Sequence, residues 1–195
     1  MTQSPEHPQV SIPLRNTTRS YGLVSQSFHW MVVALILVQY TWAWRIANAE
    51  GLRARFELVT QHKTLGMTIL ALTALRLAWR LYDRPPPLPG TMPRLERLAA
   101  RVMHRLLYLL IFALPLSGWF YSSAAGLGDY WWGPLWLPSP LAADEALEDI
   151  LGVVHRGLGL SLAVLAGLHV LAALRHQFLL RDGLLWRMLP RWRGY

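Results

Sequence analysis

The sequence predicts an all-α integral membrane protein, a bundle of four transmembrane helices. Three observations predict it. Of 195 residues, 53% are hydrophobic, above the roughly 45–50% apolar share of ordinary chains. Four apolar stretches have the length, about 20 residues, that about 30 Å of hydrocarbon demands. Histidines fall at matched depths inside those stretches, where an ionisable residue marks function by default. The remainder is too short for a soluble domain of useful size. The expected organisation is a polar tail over residues 1–26, the helix bundle over 27–180 and a basic, aromatic interfacial tail over 181–195.

There are no cysteines. Iron–sulfur clusters, c-type haem attachment, thiolate zinc sites and disulfides are excluded together. Metal chemistry is left to seven histidines and a modest set of carboxylates. The tail is polar and contains Pro5, Pro8 and Pro13. It shows no short apolar core followed by small residues, so no signal peptide is expected.

The first span is expected over Ser27 to Ala47, with no charge between Arg19 and Arg45. Trp30, Trp42 and Trp44 stand near its ends, where amphipathic rings prefer the interface. His29 sits just inside the entry end. A short loop with Glu50, Arg53, Arg55 and Glu57 leads to a second span from near Thr60 to Tyr82. It opens QHKTLG, placing His62 at its entry end, and carries Arg76 and Arg80 in its last third. Residues 83–93, DRPPPLPGTMP, cannot continue a helix. A basic approach (Arg94, Arg97, Arg101, Arg105) precedes a third span over His104 to Ser123, which Pro115 and Gly118 should bend. The longest loop, Ala124 to Leu147, holds Tyr130, Trp131, Trp132 and Trp136 and ends in Asp144 and Glu145. Glu148 and Asp149 follow, before the fourth span over Gly152 to Gln177.

That last span carries His155, His169 and His176. Fourteen residues separate the first two, about 40° short of four turns and about 21 Å of rise. The next seven bring His176 back near the same face, about 10.5 Å further along. One stripe of one helix thus presents three imidazoles at three depths.

Topology pairs these with the other helices. Fourteen of nineteen Lys and Arg fall on the side of the two tails and the second-to-third connector. Both termini are therefore expected in the cytoplasm. The same asymmetry accounts for the net charge of +8 without nucleic acid. His29 and His169 then share an inner level, and His62 and His155 an outer one. Bis-imidazole ligation suits a low-spin b-type haem that only moves electrons. Zinc needs a third or fourth ligand at the same level. Only His104, near the inner surface, could add one, and no carboxylate lies within a span. Two stacked b haems are expected, with the four histidines as axial ligands. Arg76 lies on the His62 face about 21 Å deeper, close enough to the inner haem to pair a propionate. His104 has no partner at its level and is assigned a structural or propionate-bonding role, and His7 a solvated one. Gly66 and Gly159 each follow a ligand by four residues, a spacing that shares a helix face and leaves room for a flat ring.

These residues resemble the bacterial cytochrome b561 family from Ser27 to Arg193. The resemblance rests on SFHW at 27–30, QHKTLG with RLAWR at 61–80, HRLLYLLIFALPLSG at 104–118, and GLHVLAALRHQF followed by RMLPR at 167–191. It implies a four-helix bundle with two b haems in the bacterial inner membrane, ligated at His29, His62, His155 and His169. It also implies a superoxide oxidase activity that takes electrons from periplasmic superoxide and reduces ubiquinone. The family's quinone-contacting histidine matches His176, whose alternative is a surface residue at the helix end. Lys63 and Arg156 follow the outer ligands and fit either superoxide steering or propionate pairing. The competing reading is a quinone-linked electron-transfer subunit serving a partner dehydrogenase or hydrogenase, docked through the Trp-rich outer loop.

Overall fold

The computed structural model describes residues 13–189. The expectations for residues 1–12, His7 among them, and for 190–195 lie outside the described residues. Four long helices dominate: α1 (Leu23–Ala47), α2 (Leu52–Tyr82), α3 (Arg94–Ala124) and α4 (Glu145–Arg175). Each lies in a segment long and apolar enough to cross a membrane.

All four helices begin earlier than the apolar runs alone indicate, α1 by four residues at Leu23. α2 starts at Leu52, so the charged stretch with Arg53 and Glu57 forms its first turns, tied by an i,i+4 ion pair at 3.2 Å. α3 takes in the whole basic approach from Arg94. α4 starts at Glu145 because Asp144 caps it, its carboxylate accepting from the Leu147 N–H at 2.9 Å. Glu145 and Glu148 occupy the first turn, where the helix dipole favours negative charge. The acidic cluster of the outer loop is thus the start of a helix.

The Trp-rich loop is ordered as a small antiparallel hairpin, β1 (Tyr130–Trp132) with β2 (Leu135–Leu137). Trp132 pairs with Leu135, leaving Gly133 and Pro134 as a two-residue turn. Gly133 has φ 57°, which a residue without Cβ adopts freely.

Close backbone packing joins α1 to α2, α2 to α3, and α3 to α4. Side-chain contacts show the neighbours to be antiparallel. Early α1 meets late α2 at His29 and Arg76, and late α1 meets early α2 at Gln39 and His62. Likewise Ser117 in late α3 meets His155 in early α4, and Glu96 meets Arg175 at the opposite ends. Midway, Val32, Ile69, Leu110, Ile111 and Leu162 form a small buried cluster drawn from all four helices. Leu37, Leu75, Leu109, Val164 and Leu171 point outward and exposed, the surface that lipid tails solvate.

One end of the bundle is knit together by residues from three connections. The Asn16 N–H donates to Asp83 Oδ2 at 2.8 Å, and its amide donates to the Asp83 carbonyl at 3.0 Å. The Tyr21 N–H donates to the Arg187 carbonyl at 3.0 Å. Arg187 in turn donates to the Arg19 carbonyl at 2.7 Å and the Pro87 carbonyl at 3.0 Å. The segment from residue 13 is therefore a strap across this end. Gly22 lies beneath it: a Cβ there would fall 2.3–2.5 Å from the backbone of Leu14 and Arg15. Gly22→Ala is expected to lift the strap and lower stability by roughly 1–3 kcal/mol, read as a lower thermal midpoint of the purified protein in detergent. An unchanged midpoint would show that the strap contributes nothing.

Candidate functional site

The histidines gather at two levels. At one, the outer level of the expected topology, the His62 and His155 ring centres lie 6.2 Å apart with planes at 81°. They reach across from α2 and α4, helices that do not pack backbone to backbone as α3 and α4 do. The hydrogen bonds fix one tautomer. Ser117 Oγ donates its single proton to the Leu114 carbonyl at 2.7 Å. It must therefore accept at its 2.9 Å contact with His155 Nδ1. His155 carries its proton on Nδ1, and its Nε2 lone pair is free. The Nδ1 of His62 is buried without a hydrogen-bond partner among the described residues.

Around them, Tyr121 stacks on His155 at 6.3 Å and 29°. Gly118 is in tight contact, since a Cβ there would lie 2.9 Å from His155 Cε1. Gly66 has a different use from the one expected of it. Its missing side chain admits Gln39, whose Nε2 would stand 3.2 Å from a Cβ and donates to the His62 carbonyl at 2.8 Å. Gly159 does face open space, with Leu114 the nearest group at 4.0 Å from a Cβ, and its carbonyl accepts from Tyr40 at 2.6 Å.

The nearest contacts of the cations at this level are with neutral groups, and Asp129 acts on Lys63 from further away. The Lys63 ammonium donates to the Leu127 carbonyl and sits 4.2 Å over the Tyr130 ring. Burial pushes the Tyr130 hydroxyl up to about 12, so the ring stays neutral and remains a cation–π partner. Arg156 is exposed, its guanidinium packed beside Gly152.

At the inner level, Arg76 Nη2 donates to His29 Nδ1 at 2.9 Å, since a guanidinium has no acceptor. Arg76 also lies 5.4 Å over the Tyr108 ring. His29 is within electrostatic reach of both His169 and His104. The expectation for His104 is corrected here: it does have a partner at its level. Its ring centre is 5.3 Å from that of His169, edge to face. The long continuous α3 carries it further into the bundle than a span beginning at residue 104 implied.

Beyond the inner level, α4 ends in one π-helical turn, His176–Leu180. His176 stands at its start with Nδ1 2.5 Å from Asp182 Oδ2 and Nε2 3.9 Å from Glu96 Oε2. Beside it a cleft of about 430 Å³ is lined by Gln177, Phe178, Arg181, Gly183 and Trp186.

Sequence reasoning missed Ser117, Gly118, Tyr121, Gln39 and Asp182. None has a local signature. Each matters through a neighbour on another helix or beyond a turn.

Comparison with known proteins decides the family. The model of the prokaryotic cytochrome b561 family matches residues 20–191. The chain belongs to the prokaryotic cytochrome b561 family. Cytochrome b561 homolog 2 of Escherichia coli is 34% identical over 180 residues, 90% of this chain and 94% of that protein. A probable superoxide oxidase, CybB, of Yersinia pestis is 32% identical, covering 90% and 99%. Cytochrome b562 of Cereibacter sphaeroides is 29% identical, covering 98% and 100%. The chain is thus a membrane cytochrome of the b type, a class built for electron transfer.

The outer residues fit such a cofactor. Metal–imidazole bonds of about 2 Å set two ring centres roughly 6 Å apart when one metal lies between them, close to the 6.2 Å observed. The orphaned His62 nitrogen, the free Nε2 of His155 and the wide α2–α4 spacing fit it too. Ser117 has the place of the outer partner that orients a ligating imidazole. Gly118→Ala is expected to push the His155 ring aside and lower the haem-to-protein ratio of the purified cytochrome, measured as the pyridine haemochrome. A wild-type ratio would show that this close packing is dispensable.

Proposed function

We propose that this cytochrome b561 relative is a superoxide:quinone oxidoreductase carrying two b haems, an outer one between His62 and His155 and an inner one between His29 and His169. Haem supplies one-electron exchange, and ligation by two histidines leaves no position open for substrate. Two superoxide anions are oxidised to dioxygen at the outer face, and one ubiquinone takes up two electrons and two protons at the inner face. Both termini lie in the cytoplasm of a bacterial inner membrane.

The observation that carries this reading is the match, over nearly its whole length, to a relative named a probable superoxide oxidase. The outer charges agree with it. Lys63 is held by a carbonyl and an aromatic ring, with the Asp129 carboxylate within electrostatic reach. Arg156 forms no ion pair among the described residues. Cations flanking an electron-accepting centre raise the local concentration of a small anion. The carboxylates of the same end oppose this attraction: Asp144 caps α4, and Asp129 accepts from the Ser139 N–H and acts on Lys63. Arg53 adds little to the field, being paired with Glu57.

Inside, a ligating imidazole carries its proton on the nitrogen turned away from the metal. In ligating iron, His29 would give up the Arg76 bond, and the guanidinium would then turn to a haem propionate. His176, beside the cleft next to the inner level, takes the quinone side.

Stopped-flow mixing of the purified protein with pulsed superoxide and ubiquinone tests this. Haem reduction and quinol formation are expected. His62→Ala or His155→Ala should remove the outer haem and the superoxide reaction together, and normal turnover in either would reject the assignment. Haem reduction by quinol alone, with superoxide inert, would instead support the subunit reading with a partner dehydrogenase or hydrogenase.

A further inference from the structure

We propose that His176 is the proton donor for quinone reduction, held in place by Asp182 and reloaded from water by Glu96. The inference rests on the quinone reading given above and assigns to Asp182 and Glu96 roles that reading does not contain.

The backbone is bent to make the contact. After the π turn, Arg181 adopts φ 53°, the one non-glycine residue with positive φ among those described. Such a conformation is uncommon for a residue with a Cβ. Gly183 follows with φ 72°. The Asp182 N–H returns to the His176 carbonyl at 3.3 Å. The result is a carboxylate Oδ2 2.5 Å from His176 Nδ1, while Oδ1 accepts from the Leu184 N–H at 3.1 Å.

Both faces of the imidazole are thereby assigned. Asp182 holds Nδ1–H and fixes the ring. Nε2, 3.9 Å from Glu96 Oε2, is too far for a hydrogen bond and is left unengaged by that carboxylate. The His176 side chain is 12% exposed, whereas those of Asp182 and Glu96 are 27% and 32% exposed. The ring is sheltered and the carboxylates are wet. Arg175, 3.3 Å from Glu96 Oε1, steadies that carboxylate from α4. Each quinone needs two electrons, supplied by superoxide through the chain, and two protons. Nε2 of the protonated ring gives a proton to a quinone oxygen, and the neutral ring regains one at Nε2 when the partly exposed Glu96 side chain, recharged from solvent, rotates into hydrogen-bond reach. The cycle then repeats for the second oxygen.

The experiment isolates this half-reaction. Chemically reduced holoprotein is mixed with a short-chain ubiquinone analogue, and haem reoxidation is followed in H₂O and D₂O. Asp182→Asn keeps the turn-forming acceptor at Leu184 but removes the carboxylate. It is expected to slow reoxidation by about tenfold or more, leaving haem content, superoxide-driven haem reduction and the quinone KM unchanged. Asp182→Glu should restore most of the rate. Glu96→Gln, outside the turn, should slow the reaction similarly, raise the solvent isotope effect and respond to added formate as a substitute proton carrier. Wild-type rates in both Asp182→Asn and Glu96→Gln, with His176→Ala slow, would overturn the relay and leave the quinone reading standing. A normal rate in His176→Ala would overturn both. Loss in Asp182→Asn accompanied by a raised quinone KM and no recovery in Asp182→Glu would assign Asp182 to the turn alone and reject the proposal.

Discussion

A polar ring placed among lipid chains must find a partner, and this constraint organises the molecule. Burying an unpaired polar group costs several kcal/mol where water cannot reach it. Five helical histidines meet at two depths, with His62 Nδ1 left without a hydrogen-bond partner among the described residues. His62 faces His155 at one, and His29, His104 and His169 converge with Arg76 at the other. The cluster of Val32, Ile69, Leu110, Ile111 and Leu162 lies between, so the bundle has a polar axis interrupted by one layer of ordinary core. Its apolar surface faces outward, the reverse of a soluble bundle.

α4 is the hub of this arrangement. It packs closely on α3, which supplies Ser117, Gly118 and Tyr121 to one of its histidines and His104 to another. Toward α1 and α2 the spacing is wider and is bridged by side chains: the His62–His155 pair and the Tyr40 hydroxyl on the Gly159 carbonyl. A tight face and a wide face on one helix are what a cofactor-bearing bundle needs, since side chains of facing helices build the site in its interior. The proposed path for electrons runs along this helix, and its terminal turn carries the histidine proposed to supply protons.

The two ends of the bundle are finished differently. The outer end is closed by a tryptophan-rich hairpin that reaches α2 through Tyr130 on Lys63 and the Trp132 indole on Thr68 at 3.3 Å. The inner end is closed by hydrogen bonds among the strap from residue 13, the proline connector and the segment around Arg187. At the strap, the Pro13 and Leu14 carbonyls accept from the Leu23 and Val24 N–H groups that open α1.

Much of the architecture was legible before any coordinates. Apolar length marked four spans, the 14-residue interval placed His155 and His169 on one face, and arginine asymmetry matched histidine depths between helices. These features are one-dimensional, because helix rise and hydrocarbon thickness turn residue number directly into depth. Helix starts were less legible, since capping by Asp144 and the i,i+4 pair of Arg53 with Glu57 extend helices beyond the apolar run. What only the tertiary structure decided is everything lateral. The serine that sets the tautomer of His155, the ring of His104 against His169, the use of Gly66 to admit Gln39 and the return of Asp182 onto His176 all depend on which faces meet. Depth follows from counting along one chain, whereas lateral contact depends on helix rotation and turn geometry, which packing alone selects.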